Sequence, residues 1–136
     1  MMTWSQSLIK LATYEVEMLQ KRLAEVRDRK QAAEMKLAML EAEGLAEMSR
    51  ADLDPMAGLY RVAFMAALRD RKEMARAEIA GIELEEQGAR DALAAAFEEQ
   101  KKYEQVAEQQ RLLELKELAR RETAAMDELG LRKAAR

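Results

Sequence analysis

Cysteine and histidine are both absent from this chain of 136 residues. Their absence excludes a disulfide framework and thiol or imidazole metal sites, and it removes the commonest general base and nucleophile. With one proline and five scattered glycines, no glycine-rich phosphate loop occurs. Aromatics are 4% and only seven residues are Val or Ile, which leaves little material for a sheet or a globular core. No apolar run approaches the roughly 18–20 residues of a membrane span. The start, Met-Met-Thr-Trp-Ser-Gln, lacks the charged and apolar parts of a signal peptide. The expectation is a cytoplasmic, non-enzymatic protein with no cofactor, no metal and no direct membrane insertion.

Charge of one sign is also missing. The net charge of −3 comes from 23 basic and 26 acidic residues mixed along the chain. Such mixing marks a solvated helix face laced with i, i+4 pairs, and it provides no basic stripe for nucleic acid. Carboxylate neighbours such as Glu85-Glu86 and Glu98-Glu99 are what chance yields among so many acids. Without a pocket to desolvate them they are not tuned for acid–base work.

What the chain has is helix. Ala, Glu, Leu, Arg and Lys supply 87 of the 136 residues, well above the roughly half that marks a coiled coil. Ile9, Ala12, Val16, Leu19, Leu23, Val26, Ala33, Leu37 and Leu40 recur at alternating steps of three and four, interrupted only by Lys30. That is an a/d heptad seam, and it needs a partner helix to bury it. A second seam, Ile79, Ile82, Ala89, Leu93, Ala96 and Tyr103, is interrupted by Lys72, Glu86 and Gln100.

The predicted fold is all-α: two long helices in an antiparallel coiled-coil hairpin, elongated and forming a single domain over 1–136. The first helix is expected over about 4–48, with Thr3 and Gln6 spaced as a capping box. The bend falls at about 49–54. The second helix follows over about 55–130, with Asp54-Pro55 as N-cap and first turn and Gly130 near its end. Folding about residue 53 sets residue i opposite roughly 106 minus i, so Ile9 faces the neighbourhood of Phe97. The second helix then outruns the first by about 25 residues, or ~38 Å. Gly81 and Gly88 read either as tolerated imperfections or as points that soften the helix.

Two surfaces stand out. Around the bend, Met35, Met39, Leu40, Leu45, Met48, Leu53, Met56, Leu59, Tyr60, Phe64, Met65 and Leu68 exceed what two seams can bury. Methionine suits a surface that accepts partners, although these residues could instead simply close the hairpin. At the other end, Trp4, Leu8, Ile9 and Leu11 neighbour an overhang seam of Leu112, Leu115, Ala119, Met126 and Leu129. Arg132 and Lys133 suit a helix C-terminus, whereas Arg120 and Arg121 lie further in and fit an acidic partner.

Leu8-Ile9-Lys10-Leu11-Ala12 with Glu15-Val16, the run Ala33 to Leu40, the trio Tyr60, Phe64 and Leu68, and Met126-Asp127-Glu128-Leu129 together resemble the flagellar FliJ family. These are the small coiled-coil components of type III flagellar export. The resemblance implies a stalk at the cytoplasmic face of the export apparatus, linking the export ATPase ring to the export gate and promoting ring assembly. It implies a gate-binding tip of Leu37, Leu40, Tyr60, Phe64 and Leu68. The ATPase-facing end would comprise Leu8, Ile9, Leu112, Leu115, Arg120, Arg121, Met126, Asp127 and Leu129. Partners would be the export ATPase and the cytoplasmic domain of the gate, with export chaperones as further candidates. Rival readings are a generic dimeric scaffold, a holdase chaperone of the prefoldin kind, and the equivalent stalk of virulence secretion. The break at 49–55 is too short for the strands that prefoldin assembly needs.

Overall fold

The computed structural model describes residues 3–50 and 55–135. These form two antiparallel helices, α1 (Trp4–Met48) and α2 (Pro55–Ala134), with no strand among the described residues. The all-α helix pair expected from the heptads is therefore present. Strong helix formers, with intrahelical pairs such as Arg111–Glu108 and Arg132–Glu128, favour the helical state locally.

The start of α1 is a complete capping box. Thr3 N donates to Gln6 Oε1 at 3.0 Å, and Gln6 N donates to Thr3 Oγ1 at 3.2 Å, so two otherwise orphaned donors are satisfied. At its far end the Ser49 amide and hydroxyl donate to the carbonyls of Leu45 and Ala46. The Arg50 amide then tightens onto Glu47 O at 3.3 Å. The N-cap expected of Asp54, like Leu53, lies outside the described residues. Helix α2 does not stop near Gly130 as predicted. No glycine takes a positive φ, so Gly130 is not a left-handed cap and the helix runs on to Ala134.

The chain divides into two compact units, each combining parts of both helices: Met18–Leu93, and Met1–Glu17 with Ala94–Arg136. In the first, Val26, Ala33 and Ile82 form one buried cluster, with Ile79 against it. Leu40, Leu68 and Ala75 form another, backed by Leu37, Phe64 and Met65. Large residues meet small ones, which lets the layers interdigitate. Leu68 packs so closely on Gly44 that a Cβ there would lie 3.0 Å from Leu68 Cδ2. In the second unit, Ser5, Ala12 and Val16 of α1 and Ala96 of α2 are buried, with Ile9, Gln100, Tyr103, Ala107 and Gln110 half-buried. Every member of the first predicted seam is buried or half-buried, Lys30 included.

The register differs from the one predicted. Arg29 pairs with Glu85, Thr13 with Gln100, and Gly44 meets Leu68. Ile9 lies beside Ala107 and Gln110, well past Phe97. The pairing has moved by about one heptad, a shift that preserves the seam phase. The shift goes with an asymmetric reversal. The first turn of α2 finds no α1 opposite it, and Arg61 is where α2 meets the end of α1.

Candidate functional site

The seam interruptions are matched across the helix pair. Lys30 Nζ lies 3.6 Å from Glu86 Oε1, and Arg27 and Arg90 approach the same carboxylate at 3.9 and 3.0 Å. The Glu86 side chain is 9% exposed. Gln100 Nε2 donates to Thr13 Oγ1 at 3.0 Å, and that hydroxyl donates on to Ile9 O at 2.8 Å. On the open side, Arg29 donates to Glu85 at 2.6 Å, which holds the Glu85 carboxyl below its usual range and raises the guanidinium. Tyr103 is raised because its hydroxyl donates to Glu99.

Around the reversal, the gate residues implied by the resemblance separate into two groups. Leu40 and Leu68 are core, Leu68 at 1% exposure. Leu37 and Phe64 are half-buried against them. Only Tyr60 stands clear, at 63% exposure, stacked on Phe64 with ring centroids 6.3 Å apart. The open apolar surface is instead made by Leu45, Met48, Met56, Leu59 and Val62 beside Tyr60. Leu45 and Met48 belong to the last turn of α1, and Met56 and Leu59 to the turns of α2 that precede Arg61. Beneath them lies a polar clasp that sequence reasoning missed. Arg61 Nη2 donates to Arg50 O at 2.6 Å, capping the end of α1. The largely buried Glu47 takes Arg50 at 3.5 Å and Arg61 at 3.9 Å, and Arg61 Nε is buried with no hydrogen bond. The only sequence signal for this clasp was two arginines flanking the bend.

In the terminal unit, Leu8 and Ile9 are half-buried, while Leu112, Leu115, Met126 and Leu129 are exposed along α2. Leu113, Leu118 and Leu131 are exposed too and were not singled out from sequence. Arg120 and Arg121 share one carboxylate, Glu117, at 2.8 and 3.3 Å. These pairs are solvent-exposed and weak enough to be exchanged for a partner's acid. Arg120 holds the Glu117 carboxyl below its usual range, as Arg111 does Glu108. Asp127 is exposed on the same segment.

The overhang stripe is not a continuation of the packed seam. The α2 residues turned toward α1 run Ala96, Gln100, Tyr103, Ala107, Gln110. Continuing that phase meets Glu114, Glu117 and Arg121. Leu112, Leu115, Ala119, Met126 and Leu129 are two residues out of phase, about 200° around the helix. Leu118 and Ala125 widen the stripe on one side, and Glu122 interrupts it.

No helix among the described residues is long and apolar enough to cross a membrane, and no group of three acidic residues there is placed to hold a metal ion. Fold and surfaces together define a coiled-coil protein of paired helices with two exposed apolar patches. Residues 6–136 match the family model described as Flagellar FliJ protein. Two proteins named Flagellar FliJ protein, from two strains of Caulobacter vibrioides, are each 47% identical over 135 residues, covering 99% of this chain and 97% of theirs. The chain belongs to the flagellar FliJ family, and on that assignment it is a non-enzymatic flagellar component. No solved structure matches it significantly.

Proposed function

We propose that the chain is a cytoplasmic component of the flagellar protein-export apparatus, working as a coiled-coil stalk between the export ATPase and the cytoplasmic domain of the export gate. One observation carries the reading: from Leu112 onward α2 presents an apolar stripe that no other described residue covers. Exposed apolar area of this extent is a binding surface. Seated in an ATPase ring, it would promote assembly by contact alone. The surface around Tyr60, Leu59, Met56 and Met48 is the gate-facing one, with Leu37, Leu40, Phe64 and Leu68 supporting it from beneath. Export chaperones would use the same methionine-rich patch, whose side chains adapt to several partners.

The test is hydrolysis by the cognate export ATPase, titrated with the full chain and with a truncation after Gln110, while sedimentation follows ring assembly. The full chain should stimulate and assemble the ring, and the truncation should do neither while keeping its paired helices. Full stimulation by the truncation would refute the assignment of the overhang. No stimulation by either, with the full chain sedimenting alone as a dimer, would make the stripe a self-association surface.

A further inference from the structure

We infer that polar residues placed in the seam, and not the apolar heptads, choose the register in which the two helices pair. A heptad seam repeats every seven residues, so sliding one helix by seven returns apolar residues to apolar layers. The register predicted from the bend alone is such a slide. Polar residues break this degeneracy, because each finds its partner in one alignment only. In the observed register Lys30 meets Glu86, and Gln100 meets Thr13.

Slide α2 one heptad in one direction, and Lys30 falls between Ala75 and Ile79 while Glu86 falls between Leu19 and Leu23. Slide it the other way, and Lys30 lies between Ala89 and Leu93 while Glu86 lies between Ala33 and Leu37. Either slip strands two charges among apolar side chains and leaves Gln100 without the Thr13 hydroxyl. The two pairs lie in different compact units, Lys30–Glu86 in one and Thr13–Gln100 in the other, yet both select the same alignment. A charge pair in a seam adds little net stability against apolar replacements, and register selection is its best-attested use. The consequence for function rests on the stalk reading. A slip would change by about seven residues, or ~10 Å, the length of α2 offered beyond α1.

The natural chain has no cysteine, so engineered pairs report cleanly. Leu23→Cys with Ala89→Cys should form a disulfide in the observed register, and Leu23→Cys with Ile82→Cys only after a one-heptad slip. Each pair is placed in the full chain and in a Lys30→Leu, Glu86→Leu, Gln100→Leu background. Helicity is followed by circular dichroism. The otherwise natural chain should cross-link only at 23 with 89. The apolar background should stay helical and raise the 23–82 disulfide about tenfold or more. Cross-linking confined to 23–89 in the apolar background would overturn the inference, because the apolar seam would then suffice. Loss of helicity there would overturn it too, since the polar pairs would be holding the fold instead of selecting its register. These readouts need no ATPase, so they fail or succeed apart from the stalk assignment.

Discussion

Replacing Leu68 with alanine separates packing from partner contact at the reversal. Leu68 is 1% exposed and touches Leu40, Ala75 and the open backbone face of Gly44. Leu→Ala in a core costs roughly 2.7–5 kcal/mol, the upper end where the surroundings cannot collapse. A two-helix layer is open at its sides and collapses in part, so about 3 kcal/mol is expected for Leu68→Ala. Tyr60→Ala removes an exposed ring whose one aromatic neighbour is Phe64, and about 1 kcal/mol or less is expected. Urea titration followed by circular dichroism at the helical band reads both. The m-value should stay constant, so that the midpoint alone reports stability. In gate-binding assays the order should invert. Tyr60→Ala should weaken binding with little loss of stability, whereas Leu68→Ala should weaken it only as far as the reversal unfolds. A Leu68→Ala variant within about 0.5 kcal/mol of the natural chain would refute the packing argument, because surface substitutions have that effect and core truncations do not.

The glycines provide a second set of predictions. A Cβ at Gly81 or Gly88 meets nothing within 4 Å, so Gly81→Ala and Gly88→Ala should each stabilise by about 0.8–1 kcal/mol in thermal or urea unfolding. Gly44→Ala should show no such gain, because the same helical preference is opposed by Leu68 Cδ2 at 3.0 Å. Arg61→Ala should raise hydrogen exchange at the end of α1, since it uncaps Arg50 O and takes one cation from Glu47. For pH, the Glu85 carboxyl is depressed by the hydrogen bond from Arg29. Its contribution is therefore present above the unfolded carboxylate value of about 4.5 and is lost as pH falls through the lower folded value. The stability difference between the natural chain and Glu85→Gln should accordingly vanish on acidification, and also shrink in high salt.

Local signals were legible in the sequence. The Thr3–Gln6 box needs only residues three apart, and the first seam needs only its own repeat. Both appear in the structure at the residues that carry them. Non-local pairing was not legible. Lys30, Glu86 and Gln100 read as interruptions because their partners depend on register, which the heptad spacing of the apolar residues leaves open. The same ambiguity blurred the reversal surface. Composition showed an excess of apolar residues there, but only the helix ends decide that Leu40 and Leu68 are covered while Leu59 and Tyr60 are open. Gly130 misled for the opposite reason: glycine permits a left-handed cap without requiring one.

On the proposed stalk reading, the change of face along α2 bears on how one helix would serve two partners. From Ala75 to Gln110 the buried and half-buried residues of α2 fall on the face turned to α1, and most of its outward face is polar. From Leu112 the phase jumps by two residues, and acids take the old seam positions at Glu114 and Glu117. Extension of the old phase would have made the overhang a template for a longer α1, or for the α1 of a second copy. The jump denies it that partner, because carboxylates at seam positions would face apolar ones. It also frees the new stripe from competition with α1, so a partner can bind and leave without prying the helix pair open. Affinity at the overhang and stability of the helix pair are thereby set by different residues. Substitutions at Leu112 or Leu115 should alter the first and leave the second unchanged.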